Sequence, residues 1–547
     1  MAWLKKILNR LNFAGFVGTW LLFISLDVFN GLLLYGVTFR GFALADTFRA
    51  VLIDALLAVP AVFLSRRAYK WFTVPAFVAL MVASLCNTFH ILTYQSGIST
   101  YAIFSMIETT GPESSEFFVD QVSLLKVMGV LFSCVIPVLL FLRVIKREVL
   151  FGKKGVIVIG TILLVVSGFV AKTAVEQGKR FLGSHPGYMV VWSLDRYVKE
   201  SRRAAHEKVV PVGIFGTLET DDSPLTCVIV VGESANRNHM GIYGYARDTT
   251  PYAEKDDWLV FDDVTSPATH TIPSLKQVLR LGALEQNDFQ PSIIDLFNAC
   301  GFKTFWLSNQ TAPKGSGNIL ETMTARASAR HYINLSRKEG KSATYDGELL
   351  PHLEKALADP APKKAVFLHL LGSHLTYALR YPRERMIFAP DSREGVALKE
   401  WADDEAIEHI NHYDNSLAYT DFVLHRVVEA VKNVPDTSFV LYFSDHGQDV
   451  YDSRYMRGCS EKNPTKNMVE VPMLFWMSPA YRESHANIAT ALEGIIHRPY
   501  STCSLSGTIA KLARIRSEKL DGLHTLLSKE GDTARVIHGH SYKDMVR

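Results

Sequence analysis

Asp445-His446-Gly447 stands at the end of an apolar run, Phe439-Val440-Leu441-Tyr442-Phe443-Ser444. An aspartate beside a histidine offers one hard oxygen and one borderline nitrogen, a donor pair suited to Zn²⁺. Gly447 lets the backbone turn closely around whatever is bound there. A second run, Cys227-Val228-Ile229-Val230-Val231-Gly232, delivers Glu233 and Ser234 in the same way. Two apolar strands thus each end in a metal-capable acid.

The third piece is Ser266-Pro267-Ala268-Thr269-His270-Thr271-Ile272-Pro273-Ser274-Leu275. Pro273 near the start of a helical pattern marks a helix N-terminus. A threonine hydroxyl there lies beside free backbone N–H groups at the positive end of the dipole, a setting that favours an alkoxide and an attached phosphate. The alternative is an N-cap threonine with no chemistry.

Such groups need a scaffold that brings strand ends together. Strand-like runs occur at 226–232, 303–308, 365–371, 438–444 and 471–476, and helical patterns at 274–281, 290–299, 346–358 and 404–432. Their alternation predicts a largely parallel sheet with helices on both faces, whose chemistry sits at the strands' carboxyl ends. Asp414, Asn415 and Asp421 fall on the long helix and read as structural supports. His369 falls inside a strand and reads as a core or supporting histidine. His270 adjoins the threonines and is placed to touch substrate.

The first third of the chain is different. The 547 residues have a mean hydropathy of +0.09, raised by segments near 11–36, 46–64, 71–94, 123–142 and 155–174 that are apolar enough to cross a bilayer. Lys5, Lys6 and Arg10 precede the first segment. Arg66, Arg67 and Lys70 separate the second and third, and Arg143, Lys146, Arg147, Lys153 and Lys154 the fourth and fifth. Five spans with these flanks on the inside carry everything after about residue 175 outside. The first segment lacks a small-residue cleavage site and reads as an anchor. The organisation expected is a membrane domain over 1–175, a linker over 176–224 and a catalytic domain over 225–547. In the linker, Tyr188-Met189-Val190-Val191-Trp192 with Arg196, Lys199, Arg202 and Arg203 fits an interfacial or packed amphipathic helix. The outward loop 95–122 carries Glu108, Thr109, Thr110, Glu113 and Glu116, an acidic surface suited to an ammonium head group or simply to solvent.

Asp27, Asn30, Asp54 and His90 lie inside predicted spans, where polar groups are expensive and serve either function or interhelical bonding. Cys86 and Cys134 read as small apolar residues of the spans, Cys227 and Cys300 as buried thiols, and Cys459 with Cys503 as the pair able to form a bridge. The net charge of +3 and the absence of a basic patch interleaved with aromatics exclude a nucleic-acid partner.

The segments Val230 to Ser234, Tyr243-Gly244-Tyr245-Ala246-Arg247-Asp248-Thr249-Thr250-Pro251, His369 to His374, Tyr413 to Asp421 and Phe443 to Gly447 resemble the phosphoethanolamine transferases of Gram-negative inner membranes. The resemblance covers nearly the whole chain. It implies an N-terminal α-helical membrane domain of five transmembrane helices plus a periplasmic α/β/α sandwich of alkaline phosphatase/sulfatase type. It implies transfer of phosphoethanolamine from phosphatidylethanolamine to lipopolysaccharide, on a core sugar or on lipid A, through a covalent phosphothreonine with release of diacylglycerol. By position it lays Thr271 on the nucleophile, or Thr269 if one residue is gapped. Glu233, Asp445, His446 and the Thr271 hydroxyl fall on the zinc ligands. His374 falls on a histidine near the phosphoryl group that is either a second-metal ligand or a proton donor, Lys314 on a lysine that contacts the phosphate or head group, and Gln310 on a polar amide. Glu108, Glu113 and Glu116 would then face the head group. Pro267 and Leu275–Lys276 stand where lipid A-modifying members carry cysteines, which points to the core-modifying branch. Asn467 stands where relatives supply another histidine, which leaves a second metal open. A phosphoglycerol transferase or hydrolase of the same superfamily is the enzymatic rival, and a membrane sensor on a degenerate fold the non-enzymatic one.

Overall fold

A computed structural model describes residues 11–546 apart from 39–40, 66–67, 110, 147–152, 207–215, 220–222, 282–290, 312–318, 335–343 and 397–398. Lys314 and the flanking charges Lys5, Lys6, Arg10, Arg66, Arg67 and Arg147 lie outside the described residues. The chain divides into two compact units, Met1–Thr109 with Phe118–Tyr197, and Thr110–Phe117 with Val198–Arg547.

The first unit is helical. α1 (Phe13–Thr38), α2 (Gly41–Ala58), α3 (Ala68–Tyr94), α6 (Leu124–Lys146) and α7 (Lys153–Gln177) fall on the five apolar segments. Among the described residues four candidate spans have the length and apolarity to cross a membrane: Phe13–Thr38, Ala68–Tyr94, Leu124–Ile145 and Val156–Gln177. α2 is a helix of 18 residues, but Asp46, Arg49 and Asp54 interrupt its apolar run, so it is not among these four and the expected fifth span is not confirmed. It also starts and stops earlier than the segment 46–64, because Pro60 opens a separate turn, Pro60–Phe63. Among the polar residues of the spans, Asn30 donates to Ser84 Oγ at 2.8 Å and accepts from Thr88 Oγ1 at 2.8 Å, tying α1 to α3. His90 Nδ1 meets Ser96 O at 2.7 Å. The expected loop 95–122 instead contains α4 (Thr100–Glu108) and α5 (Gly111–Gln121). Ser99 caps α4 by accepting from Ala102 N, a local signal hidden by the mixed composition of the stretch. The linker pattern becomes α8 (Pro186–His206).

The second unit is built on a seven-stranded sheet. Its strands are β1 (Leu225–Gly232), β2 (Leu259–Phe261), β3 (Lys303–Thr311), β4 (Ala329–Asn334), β5 (Lys363–His369), β6 (Thr437–Ser444) and β7 (Met473–Met477). In space the order is β2-β7-β6-β1-β5-β3-β4. β1 pairs in parallel with both β5 and β6, and β3 with β5 and β4, while β7 runs antiparallel to β6 and β2. All eight residues of β1 are buried, which is why it reads as an unbroken apolar run. Alternate residues feed two cores. Cys227, Ile229 and Val231 pack with α9 (Thr271–Val278) and α10 (Ile293–Ala299) on one face. Val228 and Val230 pack with α11 (Leu350–Leu357) and α12 (Asp404–Lys432) on the other. All six cysteines are free, so Cys459 and Cys503 form no bridge.

α12 is anchored by the polar residues it carries. Asp414 accepts from Arg247 at 2.8 Å, from Tyr245 at 3.0 Å and from His239 Nδ1 at 2.8 Å. Asn415 accepts from the Ile387 and Phe388 amides, and Asp421 from those of Tyr252 and Ala253.

Candidate functional site

Register places the first two ligands. Gly232 at the end of β1 pairs with Ser444 at the end of β6, so the next residues, Glu233 and Asp445, emerge side by side. The turn is held by main-chain groups: Asp445 N donates to Gly232 O at 3.1 Å, and Ser234 N to Asp445 Oδ1 at 3.0 Å. Ser234 adopts a left-handed backbone with φ +59°, and its hydroxyl donates to Glu233 Oε1 at 2.7 Å. A non-glycine residue held in that region is a strained feature of the kind that gathers at functional sites. Gly447 is needed for space: a Cβ there would meet Asn467 O at 2.3 Å.

His446 Nε2 lies 3.3 Å from Glu233 Oε1 and 3.5 Å from Asp445 Oδ2. Thr271, the first residue of α9, closes the group, with its Oγ1 3.0 Å from Glu233 Oε2 and 3.4 Å from His446 Nε2. The helix begins three residues earlier than the sequence pattern indicates, because His270 is extended (φ −143°, ψ 152°) and Thr271 already enters the first turn. Thr269 is held differently. Its Oγ1 lies 2.9 Å from His270 Nδ1 and 3.1 Å from His538 Nε2, and its amide donates to His538.

The group is built for a cation. Asp445 Oδ2 is buried with no hydrogen-bond partner among the described residues. His446 Nδ1 faces Gly447 O at 2.8 Å; a carbonyl only accepts, so Nδ1 holds the hydrogen and Nε2 keeps its lone pair toward the carboxylates. Burial, reinforced by the neighbouring Glu233 charge, pushes Asp445 up to about 7. Two buried carboxylates around a bare imidazole nitrogen and a hydroxyl match a Zn²⁺ donor set. Among the described residues no second group of three His, Cys, Asp or Glu side chains converges beside it. Asn467, at the position considered for a further histidine, accepts from Asn236 at 3.3 Å and Asn238 at 2.9 Å instead.

Gln310, on β3, donates to Leu370 O at 2.9 Å and reaches Glu233 Oε2 at 3.4 Å. His374 stands in the loop after β5, where its amide donates to Leu371 O at 3.2 Å. His369, at the end of β5, packs on Trp306 with ring centroids 5.4 Å apart, and burial pushes it down to about 4, so it stays neutral. Glu108 ends α4, Glu113 lies on α5, and Glu116 Oε2 meets Arg380 Nη2 at 2.5 Å. Two contributors carry no signal in the sequence because they arrive from far along the chain. His538 comes from the hairpin Val536–Ile537/His540–Ser541. Cys459 places Sγ 3.5 Å from His446 Nδ1.

Comparison with known proteins places this geometry in context. Residues 226–515 match the family model described as Sulfatase. The chain is 28% identical over 522 residues to "Phosphoethanolamine transferase EptC" of Escherichia coli (strain K12), covering 90% of this chain and 88% of that protein. It is 30% identical to the C-terminal periplasmic domain of EcEptC from Escherichia coli, solved in complex with Zn, with a TM-score of 0.57 over 62% of this chain and 98% of that one. The integral membrane lipooligosaccharide phosphoethanolamine transferase A from Neisseria meningitidis shares the fold over 93% of this chain and 96% of its own, at a TM-score of 0.67 and 19% identity.

Proposed function

This chain belongs to the sulfatase family as one of its phosphoethanolamine transferases, an enzyme, and from that premise we propose the reaction, the residues and the location that follow. It moves phosphoethanolamine from phosphatidylethanolamine to lipopolysaccharide, on a core sugar or on lipid A. It is held in a bacterial inner membrane with the sulfatase domain in the periplasm, and α2 is the fifth and weakest span. The observation that carries this reading is the convergence of the Thr271 hydroxyl on Glu233, Asp445 and His446 at the carboxyl ends of β1 and β6.

One zinc ion fits the donor set of Glu233, Asp445, His446 and Thr271. When bound, it supplies a Lewis acid that favours the ionised threonine and offsets phosphoryl charge. Glu233 Oε2 accepts the Thr271 hydroxyl hydrogen and so aims the oxygen's lone pairs outward. In the first step Thr271 Oγ1 forms a bond to phosphorus, the bond from phosphorus to the glycerol oxygen breaks, and diacylglycerol leaves carrying a proton. In the second, an acceptor oxygen bonds to the same phosphorus, its proton is lost, and Thr271 Oγ1 regains one. Lys314 contributes positive charge toward the phosphoryl oxygens, His374 serves there as a proton donor or a second-metal ligand, and Gln310 steadies the Glu233 carboxylate.

Intact mass of the solubilised protein after incubation with phosphatidylethanolamine tests this directly. A gain of one phosphoethanolamine unit, mapped to Thr271 and absent in Thr271→Ala, is expected. A gain that persists in Thr271→Ala and disappears in Thr269→Ala would move the nucleophile, and no adduct on zinc-loaded protein would remove the covalent step.

A further inference from the structure

The helical unit holds another buried group of two acids and a histidine. Asp27 on α1, Asp54 on α2 and His185 just before α8 converge, with Asp54 Oδ1 at 3.2 Å and Asp27 Oδ2 at 3.4 Å from His185 Nε2. All three are buried, with 6%, 1% and 2% of their surface exposed. The catalytic trio has nearly the same spacing, 3.3 and 3.5 Å. What separates the two groups is the far nitrogen of each ring.

His446 Nδ1 donates to a carbonyl, which leaves Nε2 bare for a metal. His185 Nδ1 lies 3.1 Å from the Tyr188 backbone amide. A backbone amide only donates, so here Nδ1 is bare and the ring hydrogen sits on Nε2, directed at the two carboxyl groups. A metal at that point would need a lone pair on both nitrogens of one ring. The wiring therefore disfavours a metal and presents a donor.

The carboxyl groups themselves are short of partners. Asp27 Oδ2 and Asp54 Oδ2 are buried and make no hydrogen bond among the described residues. Among the described residues the spot is otherwise lined by Phe23 and Leu26 of α1, Leu80 of α3, and Pro186 and Gly187 at the opening of α8. Two anions facing each other across one neutral imidazole, in apolar surroundings, do not both stay ionised. A protonated carboxyl removes the repulsion and the buried charge together.

We propose that Asp27, Asp54 and His185 form a proton-binding site in which at least one carboxyl group is protonated at neutral pH, and that the bound proton locks α1, α2 and the start of α8 together. His185 is well placed for that part. It is the N-cap of α8, accepting from Tyr188 N through its ring while its carbonyl takes the first helical bond from Met189 N at 3.0 Å. The ring that starts α8 is thus the ring the two carboxyl groups grip. Loss of the proton leaves two buried anions at the joint and opens it.

The test uses the full-length protein in lipid nanodiscs and infrared difference spectra between neutral and alkaline pH, for the parent beside Asp27→Asn and Asp54→Asn. The parent is expected to show a carboxylic-acid carbonyl band at neutral pH that vanishes on alkalinisation, and at least one asparagine variant loses that band. Because an amide mimics a neutral acid, that variant keeps the parent's melting midpoint at neutral pH and loses the parent's alkaline drop. A spectrum in which neither substitution changes the acid band would overturn the proposal. So would a second zinc per chain that survives His446→Ala and is lost in Asp54→Asn. Amide exchange of the 185–192 segment needs no variant: corrected for intrinsic rate, its protection is expected to fall on alkalinisation, and unchanged protection would overturn the lock.

Discussion

His239 is clasped by a carboxylate at each ring nitrogen, Asp414 at 2.8 Å and Asp452 at 3.0 Å, and both nitrogens must then carry hydrogen. Burial opposes the charge, but Asp452 and Asp414 outweigh it and push this histidine up to about 10. Its folded value lies above its unfolded one, so its contribution to stability is complete below about pH 6.5 and is lost as pH rises through about 10. Denaturant unfolding of the parent between pH 7 and 10 should show that decline. Asp452→Asn should lower stability by about 2 kcal/mol at pH 7 and flatten the decline. At this scale the sequence was informative where type and position coincide. Glu233, Asp445 and His446 stand at the ends of apolar runs and need no structure to be found. The choice between Thr269 and Thr271 was different, because both stand at one helix start and only their hydroxyl partners separate them.

Gly447 shows what an element demands of its neighbour. The loop after β6 passes so close to the Lys466–Met468 turn that a Cβ on Gly447 would sit 2.3 Å from Asn467 O. Gly447→Ala should therefore cost on the order of 3 kcal/mol and shift His446, which precedes it. Thermal unfolding with and without zinc would measure both effects; a zinc affinity reduced roughly 10–100-fold is expected, as for a disturbed support of a metal ligand. Strands of the central sheet were legible because burial on both faces makes their composition uniformly apolar. β2 and β4 were not legible. They are edge strands, and β4 is exposed along half its length, so its composition says little. α4 and α5 were missed for a related reason, since their short turns mix polar and apolar residues without a clear stripe.

The unit containing Val198–Arg547 carries Glu233, Thr271, Asp445 and His446. Residues 216–546 expressed alone should fold and bind zinc, with metal analysis near one ion per chain, yet release no diacylglycerol from phosphatidylethanolamine vesicles. Transfer from vesicles at the full-length rate would show that the helical unit is dispensable for the donor lipid. Chelation should destabilise either form by roughly 3 kcal/mol when free zinc had stood about a hundredfold above its Kd. The same unit also constrains the timing of metal uptake. Ser234 and Asp445 are bonded to each other although 211 positions separate them, and β6 lies between β1 and β7 in the sheet. During synthesis Glu233 and Thr271 emerge long before their partners, and no ligand set exists until β6 has found its slot beside β1. Metal loading is thereby tied to a long-range step of folding that needs most of the chain, and a chain stalled or cut before residue 446 offers zinc no place to bind.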